Sequence, residues 1–184
     1  MSAVDKTTHI QNWLKDEEAK GIEKVSSLIK NGFILEIGTG MGRSAAIMAL
    51  ASPTSRILTI DNLTARAHEN LDGVEFREKV FSEWNKLGIT NIELLVGNFR
   101  DLNEDKLDPI DLLFIEGKQT FVEAVDAYNK FQHRIKPKGY IMIRDYLTRN
   151  ADHEHHKFVD QILLKDKNYR TTIEGHFVYA QKIA

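Results

Sequence analysis

The stretch Phe33-Ile34-Leu35-Glu36-Ile37-Gly38-Thr39-Gly40-Met41-Gly42-Arg43-Ser44 decides how the rest of the chain is read. Its opening, Phe33 to Ile37, has the near-continuous apolar character of a parallel strand covered on both faces. Glycines then fall at alternate positions, Gly38, Gly40 and Gly42. Behind them Ser44 to Ala51 has helical composition and stops short of Pro53. A strand, a glycine turn and a helix make the first crossover of a doubly wound sheet, where bare backbone can approach a ligand.

The spacing narrows the ligand. A dinucleotide fingerprint reads G-x-G-x-x-G, and here Arg43 stands where its third glycine would fall. Glu36 lies two residues before Gly38, and a carboxylate there repels phosphate but suits an ammonium group. A nicotinamide-dependent oxidoreductase is therefore only a lesser alternative. E-x-G-x-G-x-G at the end of a first strand resembles motif I of the class I S-adenosylmethionine-dependent methyltransferases. The plain alternative is a strand–turn–helix that holds no ligand.

Composition bounds the problem without choosing a function. The 184 residues fit one domain, residues 1–184, with a helical cap over 1–32 and an α/β core over 33–184. A formal net charge of −2 gives no overall basic field for nucleic acid or an anionic membrane. Cysteine is absent, which excludes disulfides, thiolate metal sites and cysteine nucleophiles, and agrees with the cytoplasm. The N-terminus lacks the apolar core of a signal peptide, and no apolar run is long enough to cross a bilayer.

Along the chain, Ile10, Trp13, Leu14, Ile22, Val25, Leu28 and Ile29 recur at helical spacing. Thr7 or Thr8 is expected to cap this helix, Gly21 to divide it and Asn31-Gly32 to end it. Trp13 reads either as core or as a lid over the cofactor or substrate. Arg56 to Ile60 is the second strand and ends at Asp61, placed where a carboxylate accepts the hydroxyls of a ribose. Asn62 stands beside it to assist. An irregular polar stretch over 63–73 precedes a helix through Val74, Val80, Trp84 and Leu87, stopped by Gly88. Asn91 to Val96 is the third strand, followed by Gly97-Asn98-Phe99. Methyltransferases of the resembled class commonly carry Gly-Asp here, the acid meeting the adenine amine. Asn98 offers an amide oxygen for the same bond, and Phe99 a face for the adenine. A polar turn that only caps the strand is the other reading.

Ile110 to Ile115 is the fourth strand and runs into Glu116-Gly117-Lys118-Gln119-Thr120. A helix, the turn Lys136-Pro-Lys-Gly139 and a fifth strand over Tyr140 to Arg144 follow, closing on Asp145-Tyr146. The order from Phe33 to Tyr146 resembles a subgroup of small O-methyltransferases with Asp-Gly-Asp-His after strand four. In that subgroup, aspartates at the ends of strands four and five bind a divalent metal that activates the acceptor hydroxyl. The matching positions are Glu116 and Asp145, which suit Mg²⁺ as hard oxygen ligands. Lys118 and Gln119 replace the motif's second Asp and its His, which weakens such a site. Without metal, Glu116 would hold the cofactor's ammonium or orient substrate. Lys118, if desolvated, would be a general base, since burial favours neutral lysine; otherwise it is a solvated residue on the rim.

Asp152 is expected to cap a last helix, with His153 and His156 on one face and His155 off it. A histidine there is a candidate base or ligand, or simply solvated. Tyr169 to Glu174, Gly175-His176 and Phe177 to Lys182 alternate as an antiparallel hairpin. These elements together predict an α/β three-layer sandwich with a doubly wound, seven-stranded, mostly parallel sheet and an antiparallel C-terminal hairpin. The expected function is an S-adenosylmethionine-dependent methyltransferase acting on oxygen of a small-molecule acceptor, with Mg²⁺ as an optional cofactor. Its cofactor contacts are Glu36, Gly38, Thr39, Gly40, Gly42, Ser44, Asp61, Asn62, Asn98, Phe99 and Glu116. Lys118, Glu116 and Asp145 carry the chemistry. The alternative is a cofactor-binding module of the same fold without catalysis. A homodimer is left open as the assembly. RNA is disfavoured as acceptor, its footprint being a patch of Lys118, Arg144, Arg149 and Lys157.

Overall fold

A computed structural model describes residues 1–11, 13–62, 72–149 and 153–183. Seven strands form one sheet in the order β3-β2-β1-β4-β5-β7-β6. They are β1 (Phe33–Ile37), β2 (Arg56–Asp61), β3 (Ile92–Val96), β4 (Ile110–Ile115), β5 (Ile135–Ile143), β6 (Tyr169–Glu174) and β7 (Phe177–Lys182). β1 to β5 are parallel, and β7 runs antiparallel between β5 and β6. The order reverses between β1 and β4. That is the switch point outside whose strand ends an open α/β sheet forms its crevice.

Two-residue periodicity sorts the strand side chains between two cores. Ile34, Leu112 and Phe114 face a layer built by α1 (Ala3–Lys6), α2 (Asp16–Ser26), α3 (Arg43–Ala51) and α4 (Gly73–Lys86). Leu35, Ile37, Leu113, Ile115 and Ile143 face the layer of α5 (Phe121–Phe131) and α6 (His155–Gln161). β1 is buried at all five positions, which is why it reads as an unbroken apolar run. Glu36 is the exception in sequence but not in burial, and it points into the α1–α4 layer beside Thr59.

Several expectations give way. The single N-terminal helix is two, and Thr7 closes the first instead of opening a longer one: its hydroxyl donates to the carbonyls of Ala3 and Val4. Gly21 does not divide α2. It lies inside the helix where a Cβ would stand 2.3 Å from the Phe177 ring, so it is needed for close packing on β7. Lys136 to Gly139 is not a turn before the fifth strand but an irregularity within β5, where the register against β4 shifts between Ile110 and Leu112. Asp152 and most of the polar stretch after Asn62 lie outside the described residues. α6 begins at His155, so His153 precedes the helix and does not share a face with His156.

Candidate functional site

A cleft of about 770 Å³ opens at the carboxyl ends of β1 to β5, at the switch point. Its walls carry Gly38 and Gly40 after β1, Asp61 and Asn62 at the end of β2, and Gly97 and Phe99 after β3. The turn after β4 contributes Glu116 to Thr120, β5 contributes Arg144 and Asp145, and Trp13, Lys15, Thr148 and His153 close the far side.

The glycine loop is shaped by neighbours as much as by ligand. Gly38 has φ +93°, and a Cβ on it would lie 2.4 Å from the Gly117 nitrogen, so the loops after β1 and β4 touch through bare backbone. Gly42, with φ +83°, caps α3, and a Cβ there would meet the Trp84 indole, whose N–H donates to the Gly42 carbonyl at 2.9 Å. Gly42 therefore packs α3 on α4 and is not on the cleft wall. The Asp61 carboxylate accepts from the N–H groups of Thr39 and Gly40 at 2.9 and 3.1 Å, tying the end of β2 to the loop. Thr39 and Ser44 are buried behind the wall rather than on it. The Thr39 hydroxyl bonds Thr59 at 2.7 Å, and Thr59 donates to Glu36 at 2.5 Å.

Around Glu36 the electrostatics are strained. Burial first, and then the neighbouring Glu116 charge, raise the Glu36 carboxyl well above the usual range. Ser44 and Thr59 offset this only in part. Burial raises Glu116 too, against the pull of Arg144. Ser44 lies near both carboxylates, yet Glu36 Oε1 and Glu116 Oε2 are buried without a well-formed hydrogen bond. Gln119 Oε1 is a third such atom, on the cleft wall, and Gln119 itself is held at φ +62° with its carbonyl accepting from Glu154 N–H. Glu116 and Gln119 line the cleft, whereas Glu36, expected as a cofactor contact, is fully buried and not on its wall; buried acceptors on the wall suit a ligand that brings donors.

Deeper in, Arg144 joins the strand ends. Its Nε donates to Glu116 Oε1 at 3.0 Å, and Nη1 donates to Asp145 Oδ2 and stands 3.8 Å from Glu18 Oε2. Burial would lower the guanidinium's affinity for its proton, but the three carboxylates reverse that. Burial likewise acts to raise Asp145, and the Arg144 charge and Lys15 outweigh it to hold the carboxylate below its usual range. Lys15 Nζ donates to Asp145 Oδ1 at 3.0 Å and to His176 Nδ1 at 2.8 Å. Glu18, fully buried, accepts from Asp145 N–H at 2.8 Å. Asp145 sits at φ +58°, a conformation a non-glycine residue keeps only where surrounding bonds impose it. His155 is also buried. Its Nδ1–H donates to the Arg144 carbonyl at 3.0 Å, and burial pushes its pKa down to about 4, so it supports Arg144 as a neutral ring.

Of the remaining expected residues, Asn62, Phe99 and Lys118 line the cleft. Asn98 does not, because its amide oxygen caps the short turn after β3 by accepting from Arg100 N–H at 3.0 Å. Lys118 is exposed, so the desolvation that would make it a base is not met. Trp13 is 55% exposed and on the wall, not in the core. His153 lines the cleft with its buried Nδ1 3.7 Å from Asp145 Oδ2. Sequence reading missed Lys15, Glu18 and Gln119 as site residues and cast Arg144 as a surface cation. An arginine ending the buried run Ile-Met-Ile is the signal that was there, since such a charge must find carboxylates.

Comparisons with known proteins agree with this fold. A tRNA (guanine-N(7)-)-methyltransferase of Mycoplasma mobile is 25% identical over 135 residues, 67% of this chain and 61% of that protein. A protein-L-isoaspartate O-methyltransferase of Methanococcus aeolicus is 31% identical over 110 residues, 59% of this chain and 44% of that protein. The chain thus spans less than two thirds of the length of either relative. Among solved structures, the O-methyltransferase TomG of Streptomyces achromogenes, in complex with S-adenosylmethionine, superposes with a TM-score of 0.70. That match has 17% identity and covers 100% of this chain and 91% of that one, a likeness of fold. A family model described as a methyltransferase domain matches residues 35–146, well over half of the sequence, and the chain belongs to that family.

Proposed function

We propose that this chain transfers a methyl group from S-adenosylmethionine to a hydroxyl oxygen of a small molecule. The observation that carries the reading is a pair of buried acceptors on the wall of the switch-point cleft without a well-formed hydrogen bond, Glu116 Oε2 and Gln119 Oε1, with Glu36 Oε1 fully buried behind that wall. The cofactor's α-ammonium and adenine amine are donors, and its sulfonium is a cation, so the pair Glu36 and Glu116 suits one end and Gln119 the other. Asp61 would take the ribose hydroxyls, with Asn62 beside it and Phe99 against the adenine. When bound, the cofactor supplies an activated methyl group. The chain aligns the acceptor oxygen in line with it and excludes water.

The acceptor's proton has a receiver on the wall. His153 lines the cleft with Nδ1 3.7 Å from the Asp145 carboxylate, and its imidazole would receive the hydroxyl proton. Trp13 gives the acceptor a flat apolar face at the same side. RNA is not favoured as acceptor. Arg144 is consumed by carboxylates, Lys157 pairs with Glu154, and Arg149 lies on the Tyr146 ring, leaving no assembled basic patch among these residues.

Titration calorimetry with S-adenosylmethionine, S-adenosylhomocysteine and NAD tests the cofactor. Binding of the first two and not the third is expected, and binding of NAD alone overturns the reading. Transfer of radiolabelled methyl to a panel of hydroxylated aromatics, run beside tRNA transcripts, then tests the acceptor. Label appearing only in RNA would replace the small-molecule assignment.

A further inference from the structure

The resembled O-methyltransferase subgroup implies a divalent metal between the ends of strands four and five, and the charges here do not leave it room. Mg²⁺ requires near-octahedral oxygen ligands at about 2.0–2.1 Å. Glu116 Oε1 and Asp145 Oδ2, the oxygens that would converge on such an ion, are both taken by one guanidinium, that of Arg144. Asp145 Oδ1 is taken by Lys15 Nζ and the Thr148 hydroxyl. Glu18 spends its two oxygens on the N–H groups of Asp145 and Lys15. Among the described residues, Glu18, Asp145 and His176 form a trio spaced to suit a metal, with ligand atoms within 4.8 Å of one another, but the Lys15 ammonium already bonds two of the three. Three carboxylates thus face two organic cations. A divalent ion would turn the balance to cationic excess inside a buried site.

We infer that Arg144, assisted by Lys15, is a built-in cation standing where the resembled subgroup holds its metal, so the cleft works without a divalent ion and removing the guanidinium creates a site for one. An arginine cannot lose its charge in a protein, which makes the replacement permanent. Its fixed fork also sets the spacing between Glu116 and Asp145, as a metal would. The same network ties in α2: Lys15 at its N-cap and Glu18 in its first turn both bond Asp145, and Glu17 accepts from His176 N–H beside them.

The test is Mn²⁺ binding to the full chain, followed by loss of the free-ion electron paramagnetic resonance signal, for wild type, Arg144→Met and Lys15→Met. Wild type is expected to show no saturable binding to about 10 mM, and Arg144→Met to gain one site with Kd about 10⁻⁴–10⁻³ M, the range of modest oxygen-ligand sites. Adding Glu116→Gln to Arg144→Met should abolish the gain. One Mn²⁺ per wild-type chain, weakened by Glu116→Gln or Asp145→Asn, overturns the inference. So does a folded Arg144→Met that binds none. Should that variant not fold by circular dichroism, Lys15→Met decides, because its half-exposed side chain is tolerated and loss of the second cation should bring weak Mn²⁺ binding where wild type has none. The statement about what the reaction needs rests on the methyl-transfer reading, and activity unchanged by EDTA is expected there. The Mn²⁺ result stands apart from it: a chain that binds neither Mn²⁺ nor S-adenosylmethionine keeps this inference and loses that reading.

Discussion

Glu36→Gln should make the unliganded fold more stable and the cofactor complex weaker, two changes of opposite sign from one atom. Gln has the shape of Glu, and its amide oxygen can keep the 2.5 Å bond from Thr59. Its NH₂ would stand where Oε1 is now buried without a partner and beside the acidic Glu116. An unmatched buried polar group costs about 1–3 kcal/mol, so the variant gains about that much. In a domain of this length that is roughly 2–12 °C in Tm. The sign with pH follows from the raised carboxyl. Below the unfolded value near 4.5 both states of the wild type are protonated and the substitution changes little. As pH rises, the unfolded chain ionises while the fold resists, wild-type stability falls, and the variant's advantage grows. On the ligand side, a bond between a carboxylate and an ammonium is worth about 1.5–3 kcal/mol, or roughly ten- to hundredfold in Kd. Urea unfolding at pH 4 and 8 and calorimetric titration with S-adenosylmethionine measure both. A variant that is less stable at pH 8, or that binds as tightly as wild type, would refute the reasoning.

Asp61→Ala removes the acceptor for two loop N–H groups and the ribose contact together; cofactor affinity should fall at least tenfold by about 1.5–3 kcal/mol, read by the same titration. Gly38→Ala would press a Cβ onto the Gly117 nitrogen at φ +93°, with strain of about 1–3 kcal/mol and a further clash. Gly40→Ala meets open space at φ +52°, so only about 1–2 kcal/mol is expected, and thermal midpoints should rank the two in that order. His155 stays neutral in the fold to about pH 4 while the unfolded ring protonates near 6.5, so stability should drop by roughly 3 kcal/mol as pH falls through that window. His155→Gln should flatten this slope in acid-unfolding curves, and an unchanged slope would place the proton elsewhere.

The fold was legible because its signals are local and repeated. The central strands β1, β2 and β4 are buried and each reads as an apolar run, Gly88 follows the end of its helix, and Gly175 turns the hairpin. The errors fall where one residue serves a distant neighbour. Gly21 is set by Phe177 and Gly42 by Trp84, contacts across more than a hundred residues in the first case and some forty in the second, and spacing along the chain carries no trace of either. Asn98 was assigned by position after β3, yet its side chain satisfies its own turn, a local competitor that short amides often prefer. Trp13 fitted a helical stripe but lies outside both α1 and α2.

The site divides along the same line. Register alone brings Gly38, Asp61, Phe99, Glu116 and Asp145 to one crevice, because parallel strands end together. What register cannot supply is charge pairing between segments. Lys118 and Gln119 look like erosion of a metal-binding motif when the fourth strand is read alone. Beside Arg144 they look different: once a guanidinium holds the carboxylates of Glu116 and Asp145, a third carboxylate and a histidine ligand at the β4 turn have nothing left to bind. The same positions are free to take other work, Gln119 presenting an orphaned acceptor to the cleft and Lys118 extending to its rim. Departure from the motif and the buried arginine are on this argument one change, not two. A chain carrying Asp at 118 and His at 119 should then tolerate Arg144 poorly, since the added acid would compete for the guanidinium that fixes Asp145.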